Sequence, residues 1–136
     1  MLSVSWTTIR LFLHVTAAAV WVGGQLTLAA LVPTLRSLGP EAPRRAARAF
    51  SVAAWSAFAV LVVTGVWNLL AVEVGDRSTA WQATLGLKLL LVAASGIAAA
   101  VHAGGRSRIA LAMGGAVALL AGLGAMFLGV QLTAGA

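Results

Sequence analysis

Arg10–Gln25, RLFLHVTAAAVWVGGQ, opens an apolar run long enough to cross a bilayer and sets a histidine, a tryptophan and a glycine pair inside it. Arg10, His14, Ala18, Trp21 and Gln25 follow at steps of four, four, three and four. A helix with about 3.6 residues per turn gathers all five into one stripe. Arginine, histidine and glutamine are costly when turned toward lipid, so the stripe is expected to face protein or a cofactor.

The rest of the chain is written in the same style. Of 136 residues, 61% are hydrophobic and only 9% charged, which excludes an ordinary soluble domain and points to an integral membrane protein. A spanning helix takes about 20 apolar residues, and the chain has room for four with short loops between them. The run that begins in the opening stretch continues to Leu35, longer than the core of a signal peptide, and reads as an uncleaved span. Spans are expected at Thr8–Leu35, Ala49–Val72, Gln82–His102 and Ile109–Leu132. Pro33 is expected to bend or end the first. The predicted fold is all-α: one membrane domain, residues 1–136, built as a bundle of four transmembrane helices.

Charge predicts the orientation. The net charge of +6 could suggest nucleic acid, but the basic residues are few and lie between apolar spans. Anionic lipid headgroups are the expected partners, and no nucleic acid is expected. The loop Arg36–Arg48 carries four arginines against Glu41, and the exit of span three carries Arg106 and Arg108. The loop Glu73–Trp81 carries two acids and one arginine. Positively charged loops stay cytoplasmic, so both termini are expected outside, in a bacterial cytoplasmic (inner) membrane. Trp6 and Trp81 then mark the outer interface. In span four, Gly114, Ala118 and Gly122 recur every four residues, as do Ala121, Ala125 and Gly129. Small residues at that spacing let helices pack closely in lipid.

Chemistry has few carriers here. No cysteine is present, which excludes disulfides, thiolate metal sites and cysteine nucleophiles. The three acids lie in loops, so carboxylate-based hydrolysis is not supported. At about 1.5 Å per residue, His14 and Lys88 each lie about 8–9 Å along their spans from the outer end. Asn68 lies about 6 Å and Thr64 about 12 Å from the outer end of span two. The four are expected to converge in the outer half of the membrane. His14 suits a haem ligand, a copper ligand or a proton relay. Arg10, one turn above it, stands where haem propionates would end. Lys88 either snorkels or pairs with a ligand. His102 reads as an interfacial residue beside Arg106. Copper(I) prefers thiolate and thioether ligands, and only Met113 and Met126 lie within spans.

These motifs carry a resemblance. The run His14–Gly24 (HVTAAAVWVGG) resembles the first helix of the copper-resistance protein D (CopD)-like membrane family. Arg48–Trp55 (RAFSVAAW), leading into Val62–Asn68 (VVTGVWN), is similar to its second helix, and Leu85–Val92 (LGLKLLLV) to its third. The pattern is also similar to that of HemJ, the membrane protoporphyrinogen oxidase, although QLTLAALVPTLR stands here where HemJ has an aromatic and basic stretch. The resemblance implies a haem b or copper site in the outer half of the membrane, acting in redox or copper handling. His14 would be the ligand to the metal, Arg10 would hold propionates, and Lys88 would be a second ligand, proton donor or propionate partner. Trp21 and Trp67 would wall the pocket, with Asn68 beside them. A protoporphyrinogen oxidase is the enzymatic alternative. A small accessory subunit of a larger membrane complex, or a homo-oligomer, is the structural one.

Overall fold

The computed structural model describes residues 3–135. Helix α1, Trp6–Ala18, passes through a π-helical turn at Ala19–Gly23 into α2, Gly24–Ser37. Helix α3 is Ala42–Leu70, a short 3-10 turn covers Val74–Asp76, α4 is Thr79–Gly104 and α5 is Arg108–Ala134. No strand occurs among the described residues. Taking α1, the π turn and α2 as one continuous span, four helices among the described residues are long and apolar enough to cross a membrane. Ser5, Ser78 and Ser107 start α1, α4 and α5, each accepting a hydrogen bond from the backbone N–H three residues on.

Two boundaries differ from the expectation. Helix α3 begins at Ala42 instead of Ala49, so Arg44, Arg45 and Arg48 are helical. Pro43 fits the first helical turn, where its missing N–H costs nothing, and the RRAAR that follows is made of strong helix formers. Pro33 does not end α2, which continues one more turn to Ser37. The end comes at Gly39, whose φ of 135° few other residues adopt.

The chain divides between Val72 and Glu73 into two compact units. In the first, α1 and α2 run antiparallel to α3, and the cross-contacts step in order. Trp6 meets Trp67 with ring centroids 6.4 Å apart, His14 meets Thr64, and Trp21 meets Phe58 and Trp55. The Phe50 ring lies over Gly24, where any added Cβ would collide with it. The second of the two glycines is therefore a seat for α3.

In the second unit α4 runs antiparallel to α5. Trp81 Nε1 donates to Leu132 O at 3.2 Å, and Ser95 Oγ donates to Ala118 O at 2.7 Å. His102 Nδ1 bonds Leu111 O. Lys88 lies against Gly129. Lys88, Ser95 and His102, spaced by seven, thus all turn toward α5. The small-residue stripe of α5 is buried at Gly114, Ala118, Ala121, Gly122 and Ala125, whereas Leu120 and Phe127 are exposed. At Gly114 a Cβ would stand 3.0 Å from Ala98 O and from His102 N, so backbone meets backbone there. Lipid tails are as apolar as leucine and give helices no hydrophobic reason to associate, so close contact supplies the attraction.

Candidate functional site

The stripe of the first span does face protein. Arg10, His14, Ala18 and Gln25 are partly covered and Trp21 is 3% exposed, while Leu11, Phe12 and Val15 on the other sides of α1 are open. Polar residues at helical spacing are thereby kept from lipid.

His14 is held from α3. Its Nδ1 lies 2.9 Å from Thr64 Oγ1, and Thr64 is 3% exposed. The threonine oxygen is also 2.7 Å from Val60 O and 3.2 Å from Leu61 O, carbonyls of its own helix. The next residue is Gly65, where an added Cβ would come within 3.5 Å of His14 Cε1. The imidazole therefore rests on the Thr64–Gly65 step, with Nδ1 bonded to the threonine.

One turn further toward the Trp6–Trp67 end lie Arg10 on α1 and Asn68 on α3. Arg10 Nε and Asn68 Oδ1 are buried and have no hydrogen-bond partner. Buried polar atoms nearly always have partners, and an unmade bond of this kind costs about 1–3 kcal/mol. Two such atoms on facing helices, beside a histidine, are a specific feature of this hairpin.

One turn and more in the opposite direction, the wall is aromatic. Trp21 packs on Phe58 at 4.5 Å and edge-on to Trp55 at 5.4 Å, and Trp55 meets Phe58 at 5.8 Å. The π turn accommodates this cluster. Its extra residue lets adjacent Trp21 and Val22 both be buried, at 3% and 4% exposed. Gln25 turns back on its own helix, donating from Nε2 to Trp21 O at 3.0 Å, and Thr27 Oγ1 donates to Gly23 O at 2.8 Å. Gln25 is thus part of the turn's own hydrogen bonding.

The predicted site residues are distributed as follows. The first unit brings Arg10, His14, Thr64 and Asn68 together along the α1–α3 seam. Trp21 joins Trp55 and Phe58, whereas the ring partner of Trp67 is Trp6. Trp55 and Phe58 are wall residues beyond those predicted. Their signal is spacing, since Trp55, Phe58, Leu61, Thr64 and Asn68 recur every three or four residues on one face of α3. Lys88 belongs to the second unit, where its Nζ lies 3.1 Å from the place of a Gly129 Cβ. A side chain on α5 at that point would occupy the lysine's path. His102 is exposed at the end of α4, as an interfacial residue would be. Among the described residues, no three His, Cys, Asp or Glu side chains group as a metal site. Comparison of the chain with protein-family models, with curated proteins and with solved structures finds no match.

Proposed function

We propose that this chain is a CopD-like integral membrane protein that holds haem b through His14 and serves membrane redox chemistry. The observation that carries the reading is the pair of partnerless buried atoms, Arg10 Nε and Asn68 Oδ1, one turn from a histidine inside a spanning helix. Haem has the right chemistry for the histidine and the Arg10 N–H of that arrangement, whereas Asn68 Oδ1 is an acceptor and takes a donor of its own. Its iron takes one or two ligands from protein, commonly a histidine, and its propionates suit a guanidinium. A copper ion would need its whole ligand set from side chains, and the donors around His14 are a threonine, an arginine and an asparagine.

In this reading His14 is the ligand to the iron. Arg10 would donate charge-assisted hydrogen bonds to a propionate, and Asn68 would reach the same group only through its amide N–H. The Trp21, Trp55 and Phe58 cluster keeps water from the apolar side of the site. Bound haem b supplies a one-electron couple. The positive-inside pattern supports an orientation with His14 in the outer half of a bacterial cytoplasmic membrane.

The test is an absorption spectrum of the wild-type protein, expressed with ample haem and copper and purified in mild detergent. A Soret band is expected. Colourless protein would remove the haem reading and favour the accessory-subunit one, and bound copper without haem would favour copper handling. If haem is bound, turnover of protoporphyrinogen would mark the protein as an oxidase of the HemJ kind.

The orientation has its own test. Leu38, in the short α2–α3 turn, is 75% exposed, and Gly75 has nothing within 4 Å of an added Cβ. Cysteines placed at these two positions should react differently with an impermeant maleimide in intact cells. Labelling at 75 and protection at 38 are expected. The opposite pattern would move His14 to the inner half of the membrane.

A further inference from the structure

The hydrogen bonds around Thr64 determine more than the position of the His14 ring. A threonine hydroxyl has one proton to donate and lone pairs to accept. Thr64 Oγ1 has three neighbours within bonding distance: Val60 O at 2.7 Å, Leu61 O at 3.2 Å and His14 Nδ1 at 2.9 Å. Two of these are carbonyl oxygens, which only accept. The shortest contact, to Val60 O, has the length of an O–H···O bond and takes the hydroxyl proton. Back-bonding of a helical threonine to the carbonyl four residues earlier is a standard local arrangement. Nothing is left for Thr64 to donate toward His14. The imidazole must then donate, and its Nδ1 must carry the proton.

We infer that Thr64 is a positioning residue that locks His14 as the Nδ1–H tautomer, which leaves the lone pair of the neutral ring on Nε2. The chain of bonds has one direction, from Nδ1–H to Oγ1 and from Oγ1–H to a backbone carbonyl, where it ends. Thr64 is therefore no route for proton transfer. Thr64 is buried, so water does not compete for the bond. Histidines that ligate metals commonly have the other ring nitrogen tied to an acceptor, which fixes ring orientation and raises basicity. Here a hydroxyl performs that task, backed by a carbonyl. The consequence for binding rests on the haem reading above; the tautomer itself does not.

The chain has two histidines, which makes the test direct. Protein labelled with nitrogen-15 histidine, without haem and under alkaline conditions where an imidazole is neutral, is examined by proton–nitrogen correlation NMR. His102→Gln assigns the two sets of signals. His14 is expected to show a protonated Nδ1 and an unprotonated Nε2. Thr64→Val should abolish that preference and weaken haem binding by about 10- to 100-fold. Thr64→Ser should restore both, which a role in packing alone would not require. A wild-type His14 protonated at Nε2 overturns the inference, whether or not haem binds. So does a Thr64→Val protein that retains the Nδ1–H tautomer. The stated tautomer in a protein that takes up no haem would leave Thr64 in its role and remove the haem reading instead.

Discussion

His14→Ala protein, expressed and purified beside the wild type, is expected to carry no haem, while His102→Ala protein carries as much as the wild type. The two histidines differ in what holds them. His14 lies inside a spanning helix on a buried threonine, one turn from the partnerless Arg10 Nε and Asn68 Oδ1. His102 is exposed at the end of α4 and bonds a carbonyl of α5. Removing the first would take away the proposed ligand, so the Soret band should vanish. Removing the second should cost hairpin stability only. Arg10→Gln should lie between them. It keeps the ligand and loses a charge-assisted hydrogen bond of about 1.5–3 kcal/mol, or roughly 10- to 100-fold in affinity, with the band position unchanged. Equal loss of haem in both histidine variants would show that the iron is held elsewhere.

Gly114→Leu is expected to destabilise the second unit by at least about 3 kcal/mol, the upper end of what overpacking costs. At Gly114 there is no side chain to move aside. An added Cβ would stand 3.0 Å from the Ala98 carbonyl oxygen and from the His102 amide nitrogen. A leucine can be seated only if the two helices part. That would break the Ser95–Ala118 hydrogen bond and the His102–Leu111 one on either side of it. Leu120→Ala, at a position of α5 that is 67% exposed, is the control and should change stability by no more than about 0.5 kcal/mol. Thermal unfolding in detergent measures both. A Gly114→Leu protein as stable as the wild type would mean that the α4–α5 contact is looser than 3 Å.

Sequence by itself determined the number of spanning helices, their order and the face that the first one turns inward. Each follows from a property of one segment: apolar length against bilayer thickness for the spans, the step of three and four for the stripe of Arg10, His14 and Trp21, and the four-residue recurrence of glycine and alanine in α5. Tertiary structure decided which residues meet. Thr64 could be read as sharing a depth with His14, but its bond to Nδ1 depends on the rotation of α3 about its axis, which no depth estimate contains. The π turn leaves no mark in the sequence because it inserts a residue without changing composition, and Gln25, on the predicted stripe, bonds the Trp21 carbonyl there. Trp55 and Phe58 meet Trp21 only because α3 packs against that turn. Polarity suggests a loop at Arg44–Arg48, yet local propensity and Pro43 favour helix there whatever the charge. Periodicity is a local property and survives in the sequence, whereas a contact between helices needs the relative rotation and register of two segments, which only their packing sets.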